Sequence, residues 1–182
     1  MTRSIIAKRY ARALLKIGLQ DGNYEILGRD LDKMAERLEL SRDLRMVLRS
    51  PVFPKSARKT IAGKVGERLG LAATTVKFIE LLIHRKRMDH FFMITEAYQD
   101  LADEAAGRTR VTLFAPLEFA PGLVQEIKTL IESLTGKEAL LSFKKDPSLI
   151  GGVLIKIGNV VYDGSLKAQI AKLREKLSAE RE

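Results

Sequence analysis

Four short groups of residues have types that could carry chemistry. Gly151-Gly152, following Asp146-Pro147-Ser148, have the composition of a phosphate-cradling loop. That chemistry needs a glycine-rich turn opening a helix, with Lys and then Ser or Thr beside it. Here the glycines lead into an apolar alternation and no Gly-Lys-Ser/Thr occurs, so they read as a structural turn. Asp163-Gly164-Ser165 join an acid to a hydroxyl. A nucleophile also needs a base and an orienting group, and His84 and His90 lie far away along the chain. Turn and helix cap is therefore the better reading. The two histidines lack the i, i+4 spacing of a shared helical metal face. With no Cys in the chain, thiolate ligands, a cysteine nucleophile and disulfides are excluded. No catalytic residue, cofactor or metal site is expected.

The fourth group is His84-Arg85-Lys86-Arg87, the densest basic run. At a helix C-terminus, cations complement the exposed carbonyls by ~0.3–1 kcal/mol each, so a solvated helix end accounts for it. Docking of an acidic protein or of phosphates is the functional alternative. A nucleic-acid module would add stacking aromatics or a recognisable fold signature, and neither occurs.

The elements around these groups change period midway. From Ile6, the residues Ile6, Tyr10, Ala13, Leu14 and Ile17 share one helical face, while Lys8, Arg12 and Lys16 occupy another. Gly18 and Asp21-Gly22-Asn23 break the pattern. A second helix follows from Tyr24 to about Leu38, with Ile26, Leu27, Leu31, Met34 and Leu38 expected inward. Ser41 can cap a short third helix through Leu44, Val47 and Leu48. Ser50-Pro51 and Pro54 interrupt the chain. Ile61, Val65 and Leu69 mark a fourth helix ending near Gly70. The fifth, expected from Ala73 to Arg87, carries Val76, Phe78, Ile79, Leu81, Leu82 and Ile83 around nearly its whole circumference. Such a helix is buried or covered by a partner. A sixth runs from Asp89 to about Ala106 with Phe92, Tyr98 and Leu101.

At Gly107 the period becomes two. Val111, Leu113 and Ala115 alternate with Arg110, Thr112 and Phe114 until Pro116 stops the strand. An amphipathic helix after Pro121 carries Leu123, Ile127, Leu130, Ile131 and Leu134. Strands near 140–144 and 153–157 follow, the second with Val153, Ile155 and Ile157 on one face. Gly158-Asn159 suits a tight hairpin into Val160-Val161-Tyr162. Asp163-Gly164 turns, and Ser165 caps a last helix whose apolar face is Leu166, Ile170, Leu173 and Leu177. The expected architecture is mainly α: a six-helix bundle over residues 1–106 and a small α/β domain over 107–182.

Bulk properties agree with a packed, helix-rich chain. Of 182 residues, 46% are hydrophobic, 30% charged and 6% aromatic, which argues against global disorder and against a large β-sandwich. The formal charge of +9 favours an acidic partner, nucleic acid or anionic surface without choosing among them. The N-terminus shows no long apolar core with a cleavage site, and no window reaches the roughly 20 apolar residues of a membrane span. A soluble intracellular protein is expected.

The stretch DPSLIGGVLIKIGNVVYDGS, Asp146 to Ser165, resembles the C-terminal signature of the ATP synthase delta subunit family, which includes the mitochondrial oligomycin-sensitivity-conferring protein. AKRYARAL, from Ala7 to Leu14, resembles that family's opening helix. FIELLIHRKRM, from Phe78 to Met88, resembles its fifth. Order and spacing match over nearly the whole chain. The resemblance implies a non-catalytic peripheral-stalk subunit, a stator present once per enzyme. It implies a bundle that receives N-terminal helices of alpha subunits between helices one and five, and a C-terminal domain that meets the ends of the b subunits. Carried onto this sequence, the groove residues are Tyr10, Ala13 and Leu14 on helix one and Lys77, Leu81 and His84 on helix five. Asp146, Gly151, Gly152, Gly158, Asp163, Gly164 and Ser165 are expected to shape turns and a cap. The basic run after helix five is a departure that the family does not require. The absence of an evident transit peptide favours a bacterial source, with the protein peripheral on the cytoplasmic face of the inner membrane. The alternative class is a basic nucleic-acid-binding adaptor, for which binding would depend steeply on salt.

Overall fold

The computed structural model describes residues 2–117, 121–158 and 160–170. The chain is mainly helical, with a small mixed four-stranded sheet in its C-terminal part. It divides into two units, Met1–Ala102 and Asp103–Glu182, each with its own core.

In the first unit, helix α1 (Thr2–Gln20) carries two adjoining apolar stripes. Ala7, Ala11, Leu14 and Leu15 are buried, whereas Ile6 and Tyr10 are half-covered and Ala13 and Ile17 stay exposed. Small residues on the inner stripe let α1 lie close to its neighbours. Gly18 extends that logic, because a Cβ there would fall 2.8 Å from the Cα of Tyr24. Helix α2 (Tyr24–Leu40) buries Leu27, Leu31, Met34 and Leu38 as the spacing predicts. Ile26 does not follow: it is 45% exposed. One residue is about 100° of helical rotation, so with Leu27 centred on the core Ile26 turns outward.

Ser41 caps helix α3 (Arg42–Arg49), its hydroxyl accepting the Leu44 N–H at 3.3 Å. Helix α4 (Lys55–Leu69) ends at Gly70, whose φ of 63° supplies the left-handed residue of a helix C-terminus. Gly66 is the point of close contact with helix α5 (Ala73–His84): a Cβ there would lie 2.7 Å from Val76 Cγ2. A 3-10 turn at Met88–His90 precedes helix α6 (Phe91–Ala105), so the sixth helix starts two residues later than its apolar pattern implied. Phe91, Ile94 and Tyr98 on α6 are fully buried. The Tyr98 hydroxyl donates to the Tyr24 carbonyl at 2.8 Å, and burial, with Tyr24 adding to it, pushes the phenol up to about 12.

Two helix ends explain why α5 sits where it does. Ala72, which precedes its first turn, has no side chain that could cap the free N–H groups. Buried Asp30 of α2 supplies that function across the bundle: Oδ2 accepts the Ala72 N–H at 2.7 Å and the Thr75 hydroxyl at 2.9 Å. At the other end the helix stops at His84, three residues before the expected Arg87. Lys86 takes a left-handed φ of 56°, and Lys86 N–H and Arg87 N–H return to the carbonyls of Ile83 and Leu82 at 3.2 and 2.8 Å. This double return closes the helix and satisfies its last carbonyls, while Arg85 to Arg87 form the turn beyond it.

In the second unit, strand β1 (Arg108–Ala115) buries Val111, Leu113 and Ala115, as the alternation requires. It pairs in parallel with β2 (Glu138–Lys145), and the crossover that parallel pairing demands contains helix α7 (Pro121–Thr135). Ile131 of α7 is buried against Val111, Leu113 and Ala139, whereas Leu123, Leu130 and Leu134 are exposed. On the other edge of β1, β3 (Leu154–Ile157) pairs antiparallel, and β4 (Val160–Asp163) pairs antiparallel with β3, giving the order β2-β1-β3-β4. Val153, expected in that strand, precedes it. Its carbonyl instead accepts the Gly164 N–H at 2.9 Å.

Candidate functional site

On the first unit, α1 and α5 leave an open apolar groove of about 400 Å³ between them. Helix α1 contributes Ile6, Arg9, Tyr10, Ala13, Leu14 and Ile17. Phe78 and Leu81 of α5 form the opposite wall, with Arg85 and Arg87 at its end. Tyr10 and Phe78 meet edge to face, ring centres 6.4 Å apart, which fixes both aromatic walls. Leu14 is the floor, 1% exposed, and Ala13 keeps the groove open beside it because its side chain ends at Cβ. Leu81 and Ile17 are 41% and 43% exposed, so the outer stripe of α1 and the outer edge of α5 are apolar yet uncovered.

Four of the six groove residues expected from the sequence are thus brought together: Tyr10, Ala13, Leu14 and Leu81. Lys77 and His84 are exposed on α5 but do not line the groove. Helical rotation accounts for this. Relative to Leu81, residues three before and four after are turned roughly 40–60° one way, and those four before and three after a similar angle the other way. Phe78 and Arg85 take the side towards α1; Lys77 and His84 take the far side. Ile6 and Ile17 were visible on the Tyr10 face, and Arg85 and Arg87 within the basic run, but which of them meet depends on the pairing of the two helices. Asp30 carried one signal only, an acid amid the apolar positions of α2.

On the second unit, the stretch from Asp146 to Ser165 is a pair of interlocked turns. Asp146 Oδ1 accepts the Ser148 N–H at 3.0 Å and its hydroxyl at 2.6 Å, and these two bonds lower the carboxyl's pKa, the hydroxyl contributing most. Gly152 adopts φ 81° and lies against the second turn: a Cβ there would sit 2.4 Å from the Gly164 carbonyl oxygen and 2.8 Å from Ser165 Cα. At Gly151 a Cβ would sit 2.7 Å from Leu166 Cδ1. The Leu166 N–H donates to the Gly151 carbonyl at 3.0 Å, completing the clasp begun by Gly164 and Val153. Asp163 accepts the Ser165 N–H at 2.9 Å, and buried Ser165 accepts the Ala168 N–H at 3.2 Å as the cap of the helical turn at 166–170. Gly158, at φ 55°, begins the connection between the paired ends Ile157 and Val160. Asn159, Leu173 and Leu177 lie outside the described residues.

The side chains of Asp146, Ser148, Asp163 and Ser165 are therefore occupied in holding turns together. His84 and His90 belong to the first unit, on α5 and the 3-10 turn. Among the described residues, no three His, Asp or Glu side chains converge as metal ligands would, and no helix is long and apolar enough to cross a membrane.

Comparison with known proteins decides what such a chain is. The family model for the ATP synthase delta (OSCP) subunit matches residues 6–177. This chain belongs to the ATP synthase delta (OSCP) subunit family. The ATP synthase subunit delta of Syntrophobacter fumaroxidans is 40% identical over 97% of both chains. That of Geotalea uraniireducens is 37% identical over 96% of this chain and 97% of its own. The fold is also that of a chain in the cryo-EM structure of the Toxoplasma gondii mitochondrial ATP synthase hexamer, with a TM-score of 0.75 at 17% identity, covering 94% of this chain and 96% of the other. The delta subunit is a non-catalytic stator component of the synthase, and this chain shares that role.

Proposed function

We propose that this chain receives an amphipathic N-terminal helix of an alpha subunit in the α1–α5 groove, and that its C-terminal unit meets the ends of the b subunits. On this reading the six α-helices of the first unit act as one receptor bundle on the catalytic head, with one copy per complex. The complex places the subunit peripherally on the cytoplasmic face of a bacterial inner membrane. Proton flow turns the rotor, and a head that is not held turns with it. A chain that grips the head at one end and the stalk at the other transmits the restraining torque.

The observation that carries the reading is the partly exposed apolar stripe of Ile6, Tyr10, Ala13 and Ile17 facing Leu81. Such a groove suits a helix that lays its own apolar face into it. Covering the exposed half of each large aliphatic contributes roughly 1 kcal/mol. Lys77 and His84, on the far flank of α5, would meet such a helix at its edge.

Ala13→Trp tests the placement. Ala13 is exposed at the groove, so an indole there obstructs the site without entering the core. Calorimetric titration with a synthetic alpha-subunit N-terminal peptide is expected to show binding to the native chain and at least tenfold weaker binding to the variant. Unchanged affinity would place the peptide elsewhere.

A further inference from the structure

The groove is asymmetric in charge. Arg9 stands beside it on α1, and Arg85 and Arg87 stand at the C-terminal end of α5, while no acidic residue lines it among the described residues. None of the three arginines has a hydrogen-bonded or ion-paired carboxylate among the described residues. Other surface cations do: Arg49 is paired with Asp89, Lys59 with Glu80 at 3.4 Å, and Arg110 with Asp103 at 3.0 Å. The closure of α5 holds Arg85 and Arg87 in place. Lys86 lies between them in the left-handed conformation, and the Arg87 N–H is tied back to Leu82 at 2.8 Å, so the backbone under both side chains is set by the helix end. An apolar trough with three unpaired guanidinium groups along one side and one end is complementary to a particular kind of helix.

Resting on the docking reading above, we propose that Arg9, Arg85 and Arg87 select the helix that occupies the groove: its apolar face is flanked by carboxylates, and these pair with the three arginines on docking. Lys does not serve equally here, since the planar guanidinium holds a carboxylate through two parallel hydrogen bonds. The apolar floor supplies the affinity that survives high salt. The arginines supply orientation, because a reversed helix would carry its carboxylates away from Arg85 and Arg87 and present other groups to them. They also speed encounter, a contribution that salt screens.

The test uses the full chain and a synthetic peptide of roughly the first 25 residues of the alpha subunit from the same genome, long enough for several helical turns. A second peptide has every Asp and Glu replaced by Asn and Gln. Affinities are measured by fluorescence anisotropy at about 50 and 500 mM salt, between which screening shortens severalfold in effect. At low salt the acidic peptide is expected to bind roughly five- to tenfold tighter than the amidated one, the yield of three partly exposed ion pairs. That preference should shrink to about twofold or less at high salt. Arg85→Gln with Arg87→Gln should remove most of the preference, weakening the acidic peptide severalfold more than the amidated one. Arg85→Lys with Arg87→Lys should restore it only in part.

Equal binding of the two peptides at low salt, with Ala13→Trp weakening both, would overturn the charge selection and leave the groove reading standing. Binding that Ala13→Trp does not touch would overturn the groove reading itself. A preference that persists in the double glutamine variant would assign it to other cations. An oligonucleotide that displaced the peptide at equal concentration would show a general anion site rather than a helix-selective one.

Discussion

Gly152→Ala is the sharpest test of the clasp that builds the second unit. Two costs add at this position. An L-residue at φ 81° gives up roughly 1–2 kcal/mol that glycine does not. The new methyl would also sit 2.4 Å from the Gly164 oxygen and 2.8 Å from Ser165 Cα, both backbone atoms with no rotamer to yield. The two turns must separate, which breaks or stretches the bonds from Gly164 N–H to Val153 O and from Leu166 N–H to Gly151 O. At about 1 kcal/mol each, these bring the total to roughly 3–4 kcal/mol. Gly158→Ala is the internal control. It has a comparable φ of 55° but nothing within 4 Å of its Cβ, so it should lose only the backbone share, about 1–2 kcal/mol. Amide hydrogen exchange at Gly164 and Leu166, with denaturant titration of the native chain and both variants, reads the difference directly. If Gly152→Ala is no worse than Gly158→Ala, the turns do not touch as described and the clasp is wrong.

Asp30→Ala should destabilise the helical unit by about 2–4 kcal/mol in urea titrations, because it strands the Ala72 N–H and Thr75 hydroxyl at a buried helix end. Lys86→Gly should stabilise that unit by roughly 0.5–1 kcal/mol and raise its melting temperature by a few degrees, since glycine takes φ 56° without strain. Tyr98 makes stability depend on alkaline pH: the unfolded phenol ionises near 10 while the folded one keeps its proton to about 12. Its contribution is intact below pH 10 and is lost as pH rises from there towards 12, by roughly 2–3 kcal/mol in full. In Tyr98→Phe this component of the stability–pH curve should vanish, at a cost of about 1 kcal/mol near neutral pH for the lost bond to Tyr24.

Features that depend on near neighbours were legible in the sequence. The alternation of Val111, Leu113 and Ala115 matches their burial, Ser41 and Ser165 cap the helices they precede, and Gly70 ends α4. A period or a cap is set within a few residues, so one chain suffices to read it. The signature from Asp146 to Ser165 also identified its glycines and acids as turn-formers. What it could not reveal is that the two turns grip each other, since that contact joins Gly152 to Gly164 through the fold.

The groove divides along the same line. An apolar face on α1 and an unusually apolar α5 were plain from residue types alone. The sequence did not say that α1 has two apolar stripes with only the inner one buried, because periodicity identifies a greasy face without naming what covers it. Nor did it separate Phe78 and Arg85, which face α1, from Lys77 and His84, which do not. That choice depends on the rotation of α5 about its axis. Asp30, forty-two residues away in sequence, helps hold that rotation through the Ala72 N–H, and the left-handed Lys86 ends the helix where Arg85 and Arg87 can reach the groove. Local spacing determined which faces were apolar; only packing between distant segments decided which face stayed open for a partner.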